Sequence, residues 1–173
     1  MDQSFFSQIE KLELLGFFSG YPLVYAFTWL LAGSSHGSKL KKWLVPVLPY
    51  AYALVGTLYL GLLLKNAYPN YSVETVLGEN GISFLRIWGL STILFWLPVL
   101  SRKVIFSLFH SLVFFYLLLK DLFVYLFSKT ADKQFIKNDM KVYTDSILLT
   151  IVALLLLTAI YWVIDHYRRS SRV

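Results

Sequence analysis

Cysteine is absent from this 173-residue chain. The absence excludes disulfides, thiolate metal sites, cysteine nucleophiles and thiol-based redox catalysis. Charged residues are also few, at 15%, whereas hydrophobic residues make up 57%, above the roughly 45–50% that is usual in soluble domains. With a mean hydropathy of +0.61, this composition excludes an ordinary soluble globular protein.

Long segments without a charged residue are the most informative feature that the chain does have. About 20 apolar residues of α-helix match the roughly 30 Å hydrocarbon core of a bilayer. The sequence therefore predicts an all-α, polytopic integral membrane helical bundle with five transmembrane helices. Their predicted bounds are 14–33, 43–64, 82–100, 104–127 and 146–164. If the hairpin 82–127 crosses the membrane only once, the number of crossings is four.

The segments between these spans are short. The longest, 65–83 and 128–145, each have fewer than about 20 residues, and a lone soluble unit needs roughly 40. We therefore expect residues 1–173 to form a single transmembrane domain. Any chemistry must then lie within the bundle or in its short loops.

Catalytic motifs are missing as well. No GxSxG, P-loop or HExxH pattern occurs, and no pair of aspartates, or of Asp with His, lies within the apolar segments. His36, Asp165 and His166 lack a second ligand at helical spacing, which argues against a metal site. We therefore expect no enzymatic activity, no metal and no cofactor.

Ionisable groups at membrane depth are candidates for function because burying them there is costly. Four residues qualify: Arg86, His110, Lys120 and Asp121. His110 either relays protons or lines a pore, or it is a neutral imidazole bonded to a neighbouring helix. Lys120 and Asp121 point about 100° apart on a helix, so they cannot pair well with each other. Either one of them bonds across the bundle or both mark the water interface.

Glycines in the first two spans predict close contacts between helices. Gly16 and Gly20 form a GxxxG pattern, which lets a neighbouring backbone approach closely. Gly56 and Gly61 are the corresponding small residues of the second span. We expect all four glycines to serve helix packing.

Prolines and polar residues predict where helices bend or begin. Pro22 predicts a kink in the first span. Pro46 and Pro49 either mark an irregular section of the second span or are tolerated in its first turns. Thr144, Asp145 and Ser146 offer N-caps for the last span.

The net charge of +6 comes mainly from basic residues that flank the spans. Such residues fit the positive-inside bias and attraction to anionic headgroups, so no direct binding of nucleic acid is expected. Four of the lysines recur at every fourth position, which makes a slanted stripe on a helix. The residues predicted to contact the membrane surface or a partner are Lys39, Lys41, Lys42, Lys129, Lys133, Lys137, Lys141, Arg168 and Arg169.

Five crossings with an outside N-terminus place the C-terminal arginines inside. The lysine stripe of 129–141 then lies outside, against the usual bias. With four crossings the stripe moves inside and the C-terminal arginines move out. Charge counts do not separate the two arrangements cleanly.

The leading functional hypothesis is a small oligomeric membrane protein, pore-like or channel-like, or a membrane-anchoring or sensing component of a multi-protein system. Its expected location is a bacterial inner membrane, and stress or phage (antiviral) defence is the biological class considered. The alternative is a transporter or binder of a small amphipathic or lipid ligand, held among the Tyr and Trp of the first three spans. A membrane enzyme is the least favoured class. The expected partners are the lipid bilayer, further copies of the chain and a soluble or membrane protein.

Overall fold

The computed structural model describes residues 3–33, 43–69, 71–72, 84–127 and 133–170. The regular elements in these ranges are helical, which confirms the all-α fold class. The α-helices are α1 (Gln3–Phe18), α2 (Tyr21–Gly33), α3 (Leu48–Asn66), α4 (Phe84–Leu90), α5 (Pro98–Ser101), α6 (Val104–Phe127) and α7 (Lys133–Ser170). Short 3₁₀ segments, Val45–Val47 and Ser91–Trp96, precede α3 and follow α4.

The predicted kink in the first span is a break between α1 and α2. Pro22 has no N–H group and its ring crowds the preceding turn, so the helix cannot continue unchanged through it. The break falls at Ser19 and Gly20, just before the proline, and the helix resumes at Tyr21. Despite this break, α1 and α2 together form one apolar segment, Lys11–Leu31, that is long enough to cross a membrane.

The prolines of the second span belong to a helix start. Pro46 lies in the 3₁₀ turn Val45–Val47, and Pro49 occupies the first turn of α3. Proline is tolerated there because the first N–H groups of a helix have no intrahelical acceptor. From this start α3 continues without interruption to Asn66.

The third predicted span is not a regular transmembrane helix. Its residues form α4, the 3₁₀ segment Ser91–Trp96, an extended Leu97 and α5, and we call this stretch (84–101) the broken helix. Its apolar part, Phe84–Trp96, rises about 22 Å, less than the roughly 30 Å of a bilayer core. Leu97 is extended because it precedes Pro98, which disfavours the helical conformation at that position.

The last span begins earlier than predicted. Thr144, Asp145 and Ser146 are interior residues of α7, so the prediction that they cap a helix is wrong. The Thr144 hydroxyl donates to the carbonyl of Met140, one turn back in the same helix. At 38 residues, α7 is about 57 Å long, well beyond the thickness of a bilayer core.

Ring contacts fix the direction of α3 against the first span. Phe18 packs on Tyr59 at 5.4 Å between ring centroids, and Tyr21 packs on Tyr52 at 4.3 Å. From the first contact to the second, the residue number increases in the first span, from Phe18 to Tyr21, and decreases in α3. α3 therefore runs antiparallel to α1 and α2. The broken helix reverses direction again, since Gly89 lies at Tyr59 and Phe95 at Tyr52.

The two C-terminal helices continue the alternation. Phe114 of α6 stacks on Phe18 at 4.8 Å, and Ser107 contacts Tyr21, so α6 is antiparallel to the first span. α7 runs parallel to α1, because Val142 lies at Gly16 and Ser146 lies at Gly20. Five segments of the bundle thus alternate in direction.

Four helical segments are long and apolar enough to cross a membrane, namely Lys11–Leu31, Val45–Asn66, Val104–Val124 and Met140–Tyr167. They differ sharply in burial. The first two are each 56% buried inside the bundle, whereas the third and fourth are only 22% and 17% buried. The core therefore centres on α1, α2 and α3. The broken helix, α6 and α7 add buried residues such as Phe95, Phe114 and Leu154, and α6 and α7 also leave wide apolar faces outward.

Candidate functional site

Three segments meet at the imidazole of His110, on α6. Its Nδ1 lies 2.9 Å from the Tyr52 hydroxyl of α3, and its Nε2 lies 2.7 Å from the Ser91 hydroxyl of the broken helix. Both ring nitrogens are therefore within hydrogen-bond distance of a hydroxyl group. His110 is half-buried, while Tyr52 is fully buried.

The hydrogen bonds around His110 select one tautomer. The Ser91 hydroxyl donates its proton to the carbonyl of Trp88 at 2.7 Å. Because a hydroxyl has a single proton, its oxygen must accept from Nε2–H of His110. Nδ1 then carries no proton and accepts the Tyr52 O–H. The ring is neutral in this arrangement.

Trp88 covers the imidazole. The two rings stack with centroids 4.6 Å apart and planes only 2° from parallel, and the indole N–H donates to the main-chain carbonyl of His110 at 3.1 Å. Phe95 and Phe114 complete the surroundings, at 5.7 and 6.2 Å between centroids. We call Tyr52, Trp88, Ser91 and His110 the imidazole cluster.

The imidazole cluster holds the irregular part of the fold in place. Its hydrogen bonds link α3, α6 and the broken helix, and hydrogen bonds between membrane helices contribute about 0.6–2 kcal/mol each. The chain of bonds from Tyr52 ends at the Trp88 carbonyl, inside the broken helix. This is the geometry of an imidazole shared between helices, the second of the two roles predicted for His110.

A second pair of hydroxyls joins the first span to α6. The hydroxyls of Tyr21 and Ser107 lie 2.7 Å apart, and Ser107 donates to the carbonyl of Val104. Its oxygen therefore accepts the tyrosine proton. The interior between these helices is filled by Phe18, Tyr21, Tyr52 and Tyr59, all fully buried.

Asp121 pairs across the bundle, but with a residue that the sequence did not single out. Its carboxylate lies 2.6 Å from the ammonium group of Lys11 on α1, and both side chains are partly exposed. Lys120, its neighbour, is exposed. No local pattern could have found this pair, because the two residues lie 110 positions apart.

Arg86 lies at the same end of the bundle as this ion pair. Gly89 of the broken helix packs against Leu14 of α1. Arg86 lies one turn before Gly89 and Lys11 lies one turn before Leu14, so Arg86 and Lys11 are at the same end of the bundle. Arg86 is half-buried there. The four predicted intramembrane ionisable groups thus divide into one deep residue, His110, and three at the end of the bundle.

Two of the four predicted packing glycines permit contacts that a side chain would block. A Cβ on Gly20 would lie 2.8 Å from the Cα of Ile147, and one on Gly56 would lie 2.9 Å from the Cβ of Thr92. Gly16 lies in ordinary contact with α7, and Gly61 faces open space. Gly89, which the sequence analysis missed, is packed against the side chains of Leu14 and Phe18.

The predicted surface lysines fall partly outside the described residues. Lys39, Lys41, Lys42 and Lys129 lie outside them, and the side chains of Lys133, Lys137, Arg168 and Arg169 are likewise not described. The backbone places Lys133, Lys137 and Lys141 on one helix, α7, and Lys141 is exposed. Within the described part of the chain, no three His, Asp or Glu residues are grouped as a metal site would require.

Comparison with protein-family models, with curated proteins and with solved structures found no match for this chain. The site must therefore be interpreted from its own geometry.

Proposed function

We propose that the chain is a membrane-anchored, non-catalytic component of a larger assembly, and that α7 presents its contact surface beyond the bilayer. The observation that carries this proposal is the length of α7. Its apolar part begins only at Met140, whereas the helix begins at Lys133, two turns earlier. A rigid helical extension of this kind holds a partner-binding surface at a fixed height above the membrane.

The extension has a basic stripe. Lys133, Lys137 and Lys141 are four residues apart, so each lies about 40° around the helix from the one before. Closely spaced lysines on one side of a helix attract an acidic surface, and the attraction weakens with added salt. We therefore propose a protein partner with an acidic face.

An oligomeric pore remains a prediction with less support. Residues that could line an aqueous path, such as Tyr21, Tyr52 and Thr92, are buried inside the single chain. The outward faces of α6 and α7 are instead lined by apolar residues such as Phe109, Leu155 and Ile160. A pore formed between copies would need polar groups on those faces.

The placement in a bacterial inner membrane also remains a proposal, as does a role in stress or antiviral defence. The alternating directions place residues 101–103 and 165–170 at one end of the bundle. In the sequence these two segments contain four basic residues and one acidic residue. By the positive-inside bias this end faces the cytoplasm and the N-terminus faces out.

The proposal is tested in membranes of the source organism. A triple variant, Lys133→Glu, Lys137→Glu and Lys141→Glu, is compared with Lys65→Glu, an exposed lysine at the end of α3. We expect the mass of the native complex, measured after gentle solubilisation, to decrease in the triple variant and to stay unchanged in Lys65→Glu. A complex of unchanged size, or a native species containing this chain alone, would refute the proposal.

The number of copies is a separate measurement. Native mass spectrometry of the purified chain, followed by electron microscopy, should show a monomer or a compact dimer. A closed ring of several copies around a central opening would restore the pore as the leading hypothesis.

A further inference from the structure

A cleft of about 120 Å³ lies at the end of the bundle opposite the Lys11–Asp121 pair. Its lining residues are Trp43, Trp162, Asp165 and His166. Three of them are spaced i, i+3 and i+4 on α7 and therefore share one face of that helix. Trp43 comes from the other side, just ahead of the 3₁₀ turn that leads into α3.

Ring contacts hold the aromatic walls. The ring of Trp43 meets Tyr161 edge-on, at 5.4 Å and 83°. The imidazole of His166 stacks on Trp162, at 5.7 Å and 15°. Each indole is thus supported by a neighbouring ring, which reduces the freedom it would lose on binding a ligand.

Two indole rings and a carboxylate among the lining residues favour a cation as the ligand. The faces of the indole rings carry negative electrostatic potential and attract cations placed above them. Asp165 adds a carboxylate, partly buried, and it is the only acidic residue in the sequence after Asp145. A metal ion is a poor fit, since the cleft offers one carboxylate where Ca²⁺ or Mg²⁺ needs about six oxygen ligands.

The volume of the cleft limits the size of the cation that it can hold. It is slightly smaller than the cavity of about 150 Å³ that accommodates benzene in another protein. A compact alkylammonium group fits such a space, and aromatic walls with a carboxylate are suited to it. A long or branched cation would extend beyond the cleft.

We propose that Trp43, Trp162 and Asp165 form a binding site for an alkylammonium group. Two sources supply this chemistry, the choline or ethanolamine headgroup of a phospholipid and a free organic cation. The position favours the lipid, because the cleft lies where the apolar stretch of α7, Met140–Tyr167, ends.

The test uses the full-length chain in nanodiscs of phosphatidylglycerol alone, titrated with tetramethylammonium chloride against a sodium chloride control. Tryptophan fluorescence reports binding. We expect saturable binding that weakens about tenfold in Asp165→Asn and in Trp162→Ala. Trp96→Phe is the matched control, since Trp96 bonds to Thr57 elsewhere in the bundle. Circular dichroism verifies that each variant retains its helices.

The source of the cation is resolved by a second arm. Replacing half of the phosphatidylglycerol with phosphatidylcholine should weaken tetramethylammonium binding at least fivefold if the headgroup occupies the cleft. Binding that is unaffected by phosphatidylcholine assigns the site to a free cation. No saturable binding in phosphatidylglycerol, or equal binding by the wild type, Asp165→Asn and Trp162→Ala, would overturn the proposal.

Discussion

The main-chain N–H of Gly20 donates a 2.9 Å hydrogen bond to the hydroxyl of Ser146, 126 positions further along the chain. The bond exists because the break between α1 and α2 releases this N–H from the helical ladder. A side chain at Gly20 would strike the backbone of α7, so glycine also permits the approach. One residue thus joins the first span to the last.

Substituting Gly20 with alanine should push α7 away from the break. The new methyl group would overlap the main chain of Ile147, which cannot move aside as a flexible side chain can. Overpacking of this kind costs about 1–3 kcal/mol, and the Ser146 bond would weaken as well. Thermal unfolding in detergent measures the loss.

Gly61→Ala is the matched control for that experiment. Apart from its chain neighbours and the backbone of its own helix, no described atom lies within 4 Å of its Cβ position. Alanine also favours a helix by up to about 1 kcal/mol over glycine. We expect its stability to be equal to or higher than that of the wild type. Equal losses at Gly20 and Gly61 would show that α7 does not pack on the break.

The imidazole cluster should behave as one unit. His110→Phe removes both ring hydrogen bonds and leaves the buried Tyr52 hydroxyl without its acceptor, at a cost of about 1–3 kcal/mol, whereas Ser91 keeps its bond to the Trp88 carbonyl. Tyr52→Phe removes one bond, about 1 kcal/mol. The double variant should lose less than the sum of the two, as measured by unfolding in detergent. Strict additivity would mean that Tyr52 and His110 do not interact.

Some of this structure could be predicted from sequence and some could not. Hydropathy locates the four long apolar segments because a span is a local property of the chain. The broken helix has the same apolar composition as a span. Pro98 accounts for the extended Leu97, which is a local effect. The 3₁₀ segment before it instead makes distant contacts, namely Thr92 against Gly56 and Ser91 with His110, which no local pattern reports.

In α7, a local sequence pattern predicted a helix start that the structure does not have. Thr144, Asp145 and Ser146 are typical cap residues, yet α7 continues through them. Ser146 is fully buried against the first span and bonded to Gly20, so a tertiary contact explains its presence better than a cap does. Local preference and tertiary role were indistinguishable from the sequence at that position.

The Lys11–Asp121 pair should contribute modestly to stability. Its side chains are 32% and 22% exposed, and ion pairs with access to solvent contribute about 0.2–1 kcal/mol. Lys11→Asp and Asp121→Lys should each lower the unfolding temperature, and the exchanged double variant should recover part of the loss. The recovery should shrink at high salt. Absence of any recovery would show that the two residues are not coupled.

The alternation of directions predicts which loops share a side of the membrane. Because the chain has no cysteine, single cysteines can be placed on an otherwise unreactive background. Lys65→Cys and Lys141→Cys lie at the end of the bundle that contains Lys11, and Lys103→Cys lies at the other, all three at exposed positions. An impermeant thiol reagent added to sealed vesicles should label the first two together and spare the third, or the reverse. If Lys103→Cys instead labelled together with Lys65→Cys, the broken helix would not cross the membrane. Asp121 would then lie on the side of the membrane opposite Lys11. That result would contradict the ion pair between Lys11 and Asp121.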